Sequence, residues 1–215
     1  MTTEFESANM SDDEASIIDA IRQGSIDLNE AKGEYQQTYL MCLIKESRVE
    51  EALTIVKEFG PKLELDKQDR NGWTMMMMAT LFYDDENNLH LVEMLLKLGA
   101  DPHIQSSIGE SAVHYAAHLG LNDILQLFNS QGVDMGRLTT PHPQPDDLFD
   151  KCAKTCLHFA IRFDRESTTR ELLKMATIDV FKPDSEGNTA LHYCAMYQSK
   201  RAYTPLLHHL VSKHT

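Results

Sequence analysis

The stretch Gly187-Asn188-Thr189-Ala190-Leu191-His192-Tyr193-Cys194-Ala195 decides how this chain is read, because its central tetrapeptide recurs twice upstream. Ser111-Ala112-Val113-His114 and Thr155-Cys156-Leu157-His158 keep its order: a hydroxyl residue, two small or apolar residues, then a histidine. Two positions beyond each histidine stands a small or apolar pair, Ala116-Ala117, Ala160-Ile161 and Cys194-Ala195. A second apolar segment follows at a common offset, with Leu125 and Phe128, then Leu172-Leu173, then Leu206-Leu207. Such a register marks an internal repeat, and a unit too small to bury its own apolar face must stack on its neighbours.

Two further copies extend the register toward the N-terminus. Gly72-Trp73-Thr74 with Leu95-Leu96 and Gly99-Ala100-Asp101-Pro102 makes one, and Thr38 with Leu40, Leu43-Ile44 and Ile55-Val56 makes the other. The pattern resembles the ankyrin repeat, which reads Gly-x-Thr-Pro-Leu-His-x-Ala, then a second helix with a Leu-Leu pair, then Gly-Ala-Asp. In the first copy Tyr39 and Met41 replace the family's Pro and His. The resemblance covers residues 36 to 211 and implies an all-α fold, an ankyrin-repeat solenoid of about five helix-turn-helix units with short hairpin loops. The units open near residues 36, 72, 109, 153 and 187, within a repeat domain spanning 35–215.

The spacings of Thr38, Thr74, Ser111, Thr155 and Thr189 exceed the family's period, and the excess has identifiable places. Asp84-Asp85-Glu86-Asn87-Asn88 reads as a lengthened turn between the two helices of the second unit, because acidic and amide residues suit a solvated turn. Residues 139–150, with Pro141, Pro143 and Pro145, read as an extended loop that cannot continue a helix. Upstream, residues 13–34 are expected to hold an N-terminal capping helix or degenerate repeat. Ile17, Ile18 and Ile21 share a side there, Ser11 and Glu14 offer a capping box, and Gly24 is the stop. Residues 1–12 are expected to be a disordered acidic N-terminus.

The chain has 215 residues, 42% of them hydrophobic, so a folded protein is expected. Its longest apolar run, Met75 to Phe82, falls short of the roughly 18 residues that cross a bilayer, and no secretory signal is apparent. Four scattered cysteines do not form a disulfide framework, which points to a reducing cytoplasmic or nuclear setting. A net charge of −13 argues against direct binding to nucleic acid or to a membrane. A monomer or a heteromeric complex is expected.

No sequence feature offers catalysis a home. His114, His158 and His192 recur at one repeat position, which marks them as structural, and the family resemblance implies that each ties neighbouring units through backbone hydrogen bonds. Cys152, Cys156 and His158 have a spacing that matches no common closed zinc site. No cofactor and no metal is expected.

The resemblance instead implies binding of another protein on a concave groove of hairpin tips and first-helix faces. Trp73, at a hairpin tip, and Met78, Tyr115, Phe159 and Tyr193, just after the tetrapeptides, are candidate contacts. Phe82, His118, Arg162, Phe163 and Tyr197, one helical turn on, complete an aromatic and aliphatic stripe, and exposed aromatic residues with an arginine are what binding hot spots favour. The expected role is that of adaptor or inhibitor. Thr139-Thr140-Pro141-His142 followed by Thr155-Cys156-Leu157-His158 is similar to inhibitors of nuclear factor kappa B, which implies sequestration of a transcription factor through its basic segment. The Asp-Ser-Gly-x-x-Ser motif of their cellular members is missing from the N-terminal segment. The alternative is a recognition domain of a larger enzyme or channel.

Overall fold

The computed structural model describes residues 14–83, 86–140 and 153–212. Its helices are α1 (Glu14–Arg22), α2 (Tyr39–Lys45), α3 (Val49–Phe59), α4 (Met75–Leu81), α5 (Glu86–Lys97), α6 (Ala112–Leu119), α7 (Asn122–Ser130), α8 (Cys156–Arg162), α9 (Glu166–Leu172), α10 (Ala190–Met196) and α11 (Lys200–Ser212). Among the described residues there is no β-strand, and no helix is long and apolar enough to cross a membrane. The chain divides into two compact units, Met1–Asp101 and Pro102–Thr215.

In the first unit α2 packs on α4 and α3 on α5, so two helix pairs lie side by side. Thr38 and Thr74 are the N-cap residues of α2 and α4, and their hydroxyls accept the Met41 and Met77 amides at 3.4 and 3.3 Å. Helices of seven residues are too short to hold by themselves, so these caps and the burial of Leu40, Met41, Leu43, Ile44 and Met75 to Ala79 define them. Helix α1 precedes the pairs. Its Arg22 makes a two-pronged bond to Glu58 of α3, at 2.7 and 3.0 Å, beside the buried Ile21.

The expected long turn between α4 and α5 is shorter than its sequence suggests. Glu86, Asn87 and Asn88 form the first turn of α5, because the buried Asn88 side chain donates to the Ala79 and Phe82 carbonyls, both at 3.3 Å. Those carbonyls lie at the end of α4, where a helix leaves its acceptors unpaired. Asp84 and Asp85 lie outside the described residues.

The second unit stacks three pairs, with α6 on α8 on α10 and α7 on α9 on α11. Its core is built from Val113, Ala116, Ala117, Ile124, Leu125, Phe128, Leu157, Ala160, Ile161, Leu172 and Leu206. Gly120 ends α6 in the left-handed conformation, φ +83°, which only glycine adopts freely. In the last pair the buried small residue is Cys194. Ala195, the other member of that small pair, is exposed, because no described helix packs on the outer side of α10.

The Pro-rich segment is closed at its base. Thr139 donates its amide to the Lys154 carbonyl and accepts the Lys154 amide on its hydroxyl, both at 2.8 Å. Residues 141–152, with the three prolines and Cys152, lie outside the described residues, as do the expected disordered residues 1–12.

Candidate partner-binding site

Each first helix of the second unit begins with the same device. The backbone amides of Ser111, Thr155 and Thr189 donate to Nδ1 of His114, His158 and His192 at 3.3, 3.1 and 3.1 Å, and the hydroxyls approach the same nitrogens at 2.8, 2.9 and 2.9 Å. A nitrogen that accepts carries no proton, so the proton sits on Nε2. From there His114 donates to the Arg137 carbonyl at 3.1 Å and His158 to the Asn188 carbonyl at 3.2 Å, tying each pair to the segment that follows it. Burial pushes both imidazoles down to about 4, so they are neutral near pH 7.

Four expected partner contacts are not available at the surface. Tyr115, Phe159 and Tyr193 are buried, as is Met78 in the first unit. The Phe159 ring packs on His114 with centroids 5.6 Å apart, and the Tyr193 ring on His158 at 4.6 Å. Phe159 and Tyr193 therefore face the histidine of the preceding pair, inside the stack rather than on its surface. Tyr193 is fixed further by its hydroxyl, which donates to Asp184 at 3.0 Å, and the Tyr115 hydroxyl lies 3.3 Å from that of Ser106.

The remaining second-unit candidates come together in a row along α6, α8 and α10. His118 and Phe163 stack nearly parallel, centroids 3.8 Å apart and planes 12° apart. The Arg162 guanidinium lies 5.5 Å from the Phe163 ring and 5.5 Å from the Tyr197 ring, so one cation joins two aromatic faces. Phe163 remains 37% exposed, and His118, Arg162 and Tyr197 are partly so. Burial, with the nearby Arg165 and Arg162 charges, lowers the His118 pKa. The row thus presents flat apolar surface with one cation.

In the first unit Trp73 and Phe82 are both partly exposed but belong to different features. Trp73 closes a hairpin turn, its amide donating to Asp69 Oδ1 at 2.9 Å and its carbonyl accepting from the Asp69 amide at 2.9 Å. Phe82 caps the end of α4. Sequence reasoning missed the carboxylates that shape these hairpins. Asp184 repeats the role of Asp69, accepting the Glu186 and Asn188 amides at 2.9 and 2.8 Å. Burial pushes its carboxyl upward, but bonds from Asn188, Tyr193 and Glu186 hold it below the usual carboxylate range. The signal was present in the shared spacing of Asp69-x-x-Gly72 and Asp184-x-x-Gly187.

The suspected metal ligands have other employment. Cys156 is fully buried with its thiol directed at the Val113 carbonyl, 3.7 Å away, and both ring nitrogens of His158 are engaged. Burial pushes the Cys156 thiol up and the Cys194 thiol to about 11. Among the described residues Cys42, Cys156 and Cys194 form no disulfide.

Comparison with known proteins agrees with this architecture. A family model described as ankyrin repeats in three copies matches residues 113–214, and a single ankyrin-repeat model matches residues 71–107. The chain is 31% identical over 83 residues to the putative ankyrin repeat protein YahD of Escherichia coli, covering 37% of this chain and 41% of that protein. It is 38% identical over 45 residues to the putative ankyrin repeat protein L289 of Acanthamoeba polyphaga mimivirus, covering 21% of this chain and 8% of that one. The matched stretches thus span less than half the length of either relative. On its repeat register, its stacked helix pairs and these family matches, the chain belongs to the ankyrin-repeat family.

Proposed function

We propose that this protein is a non-catalytic binding module acting as an adaptor or inhibitor, and that the row His118, Phe163, Arg162 and Tyr197 is its principal contact surface. The observation that carries this reading is the arrangement of Arg162 between two aromatic rings on a partly exposed face. Binding hot spots are enriched in aromatic residues and arginine, and an arginine already stacked on aromatic rings is pre-ordered for contact. Trp73 and Phe82 supply the corresponding candidates in the first unit.

Charge supports a basic partner for the first unit. Residues 1–101 hold 21 Asp and Glu against 9 Lys and Arg, whereas residues 102–215 hold 12 against 11. Such a field speeds the approach of a basic segment and disfavours acidic competitors. This fits sequestration of a transcription factor through its basic segment, in the cytoplasm or nucleus, as the similarity to inhibitors of nuclear factor kappa B implies.

The test is affinity capture with the intact chain and with a double variant, Arg162→Ala with Phe163→Ala, whose melting temperature is unchanged. Proteins bound by the parent should be lost or weakened at least about tenfold, since two hot-spot side chains together contribute more than about 1.4 kcal/mol. Full retention of every partner by the double variant removes the row from the binding surface.

A further inference from the structure

The outer face of α10 and α11 differs from its counterpart one pair earlier. On α8, on α9 and at the residue that caps it, Leu157, His158, Ile161, Thr169 and Leu173 are all buried where the next helix pair packs on them. The equivalent positions 34 residues later, Leu191, His192, Ala195, Tyr203 and Leu207, are all exposed. Leu191 is 39% exposed against 2% for Leu157, Tyr203 43% against 0% for Thr169, and Leu207 41% against 8% for Leu173. Val211 extends the surface at 57%. Leu191 and Ala195 are four apart on α10, and Tyr203, Leu207 and Val211 are four apart on α11. Residues at that spacing form a ridge, so two apolar ridges on adjoining helices flank a groove that fits a third helix.

Two polar features state what the occupant must carry. Nδ1 of His192 accepts from Thr189, which leaves the proton on Nε2, as in His114 and His158. Those two donate to a carbonyl of the segment packed against them, whereas no described residue accepts from His192 Nε2. The rim is also basic. Lys200 lies on the stripe of Tyr203 and Leu207, Arg201 and His208 flank it, and the sequence holds no Asp or Glu after Glu186. Beside it, where α9 and α11 begin, an open cleft of about 450 Å³ adds Arg165 and Arg170. Its two carboxylates are engaged, Asp164 with the Arg201 and Ala202 amides and Glu166 with Arg170.

We propose that this face docks an acidic amphipathic helix of a second polypeptide, its apolar stripe seated between the two ridges and its carboxylates meeting Lys200, Arg201 and His192. A second copy of this face is a poor occupant, because it would bring the same cations into opposition. The proposal does not rest on the row around Arg162, which is a separate set of residues.

The probe is a fluorescein-labelled synthetic helix of about 18 residues with leucines on one stripe and glutamates flanking it, compared with a twin in which lysine replaces each glutamate. Fluorescence anisotropy should show saturable binding of the glutamate peptide and binding at least about tenfold weaker for the lysine twin. Leu207→Asp should weaken the glutamate peptide by a similar factor. Lys200→Glu with Arg201→Glu should do the same without touching the apolar ridges, and Phe181→Ala, at an exposed position elsewhere, should leave binding unchanged. The proposal is overturned if the glutamate peptide does not bind saturably, if both peptides bind equally, or if Leu207→Asp has no effect in a variant of unchanged circular dichroism. Sedimentation showing a dimer of the parent chain that Leu207→Asp dissolves also overturns it, in favour of a second copy.

Discussion

His114 and His158 accept at Nδ1 and donate at Nε2 while buried, and a protonated ring can do only half of that. Desolvation dominates both shifts to about 4; His103 and Arg137 lie near His114, while Asp184 and Lys154 act on His158 with opposite signs. In the unfolded chain a histidine titrates near 6.5. Between those values the unfolded state therefore binds more protons than the folded one, so stability is fully present above about pH 6.5 and is lost as pH falls toward 4. Each histidine accounts for about 3 kcal/mol across that window, at 1.36 kcal/mol per unit. Thermal melting should drop steeply between pH 7 and 4.5, and His158→Gln should lower the melting temperature at pH 7 while flattening that slope. A slope unchanged by the substitution would assign the acid sensitivity to other groups. Asp184 offers a second test at this scale. Asp184→Asn replaces an acceptor-only carboxylate that holds two hairpin amides and the Tyr193 hydroxyl, and urea unfolding should show a loss of about 2 kcal/mol.

The first helices are seven or eight residues long and need their neighbours, so a side chain at a helix crossing has large effects. Ala116 is fully buried on α6, where the surroundings accommodate a single methyl. Ala116→Leu should cost about 1–3 kcal/mol through overpacking, read as a lower denaturation midpoint with little change in slope. Loss within error would mean that the surroundings of Ala116 yield to a larger side chain. That the short helices start at Thr38, Thr74, Ser111, Thr155 and Thr189 could be read from the sequence, because caps and apolar spacing are local signals. Which face of each helix reaches solvent could not. The residue after each tetrapeptide looks variable and aromatic, as a binding residue would, yet Phe159 and Tyr193 are aromatic because they cover a histidine of the preceding pair. Asn88 misled for a related reason, since an amide suits a solvated turn and equally satisfies buried carbonyls at a helix end.

Acidic charge is distributed unevenly along the whole molecule, and the distribution decides which experiment can detect a basic partner. Nearly all the net charge of −13 belongs to residues 1–101, which hold 21 acidic residues against 9 basic. Some of those carboxylates are already in ion pairs, Glu58 with Arg22 and Glu64 with Lys67, but exposed pairs contribute little to stability and leave the surrounding field nearly intact. A lysine-rich peptide should therefore bind the chain with an affinity that falls at least about tenfold as salt rises from about 50 to 500 mM, because screening shortens the reach of the field to a few ångströms. The location can be tested separately. Replacing the exposed Glu34, Glu46 and Glu64 with glutamine removes three charges from the first unit, and replacing Asp123, Glu166 and Glu186 with their amides removes three from the second. The first triple variant should slow association measurably while its dissociation rate stays near that of the parent, since long-range steering acts on encounter rather than on the formed complex. The second should change association little. Equal effects from the two triples would show that the basic peptide responds to total charge alone, and would leave the first unit without a special claim on a basic partner.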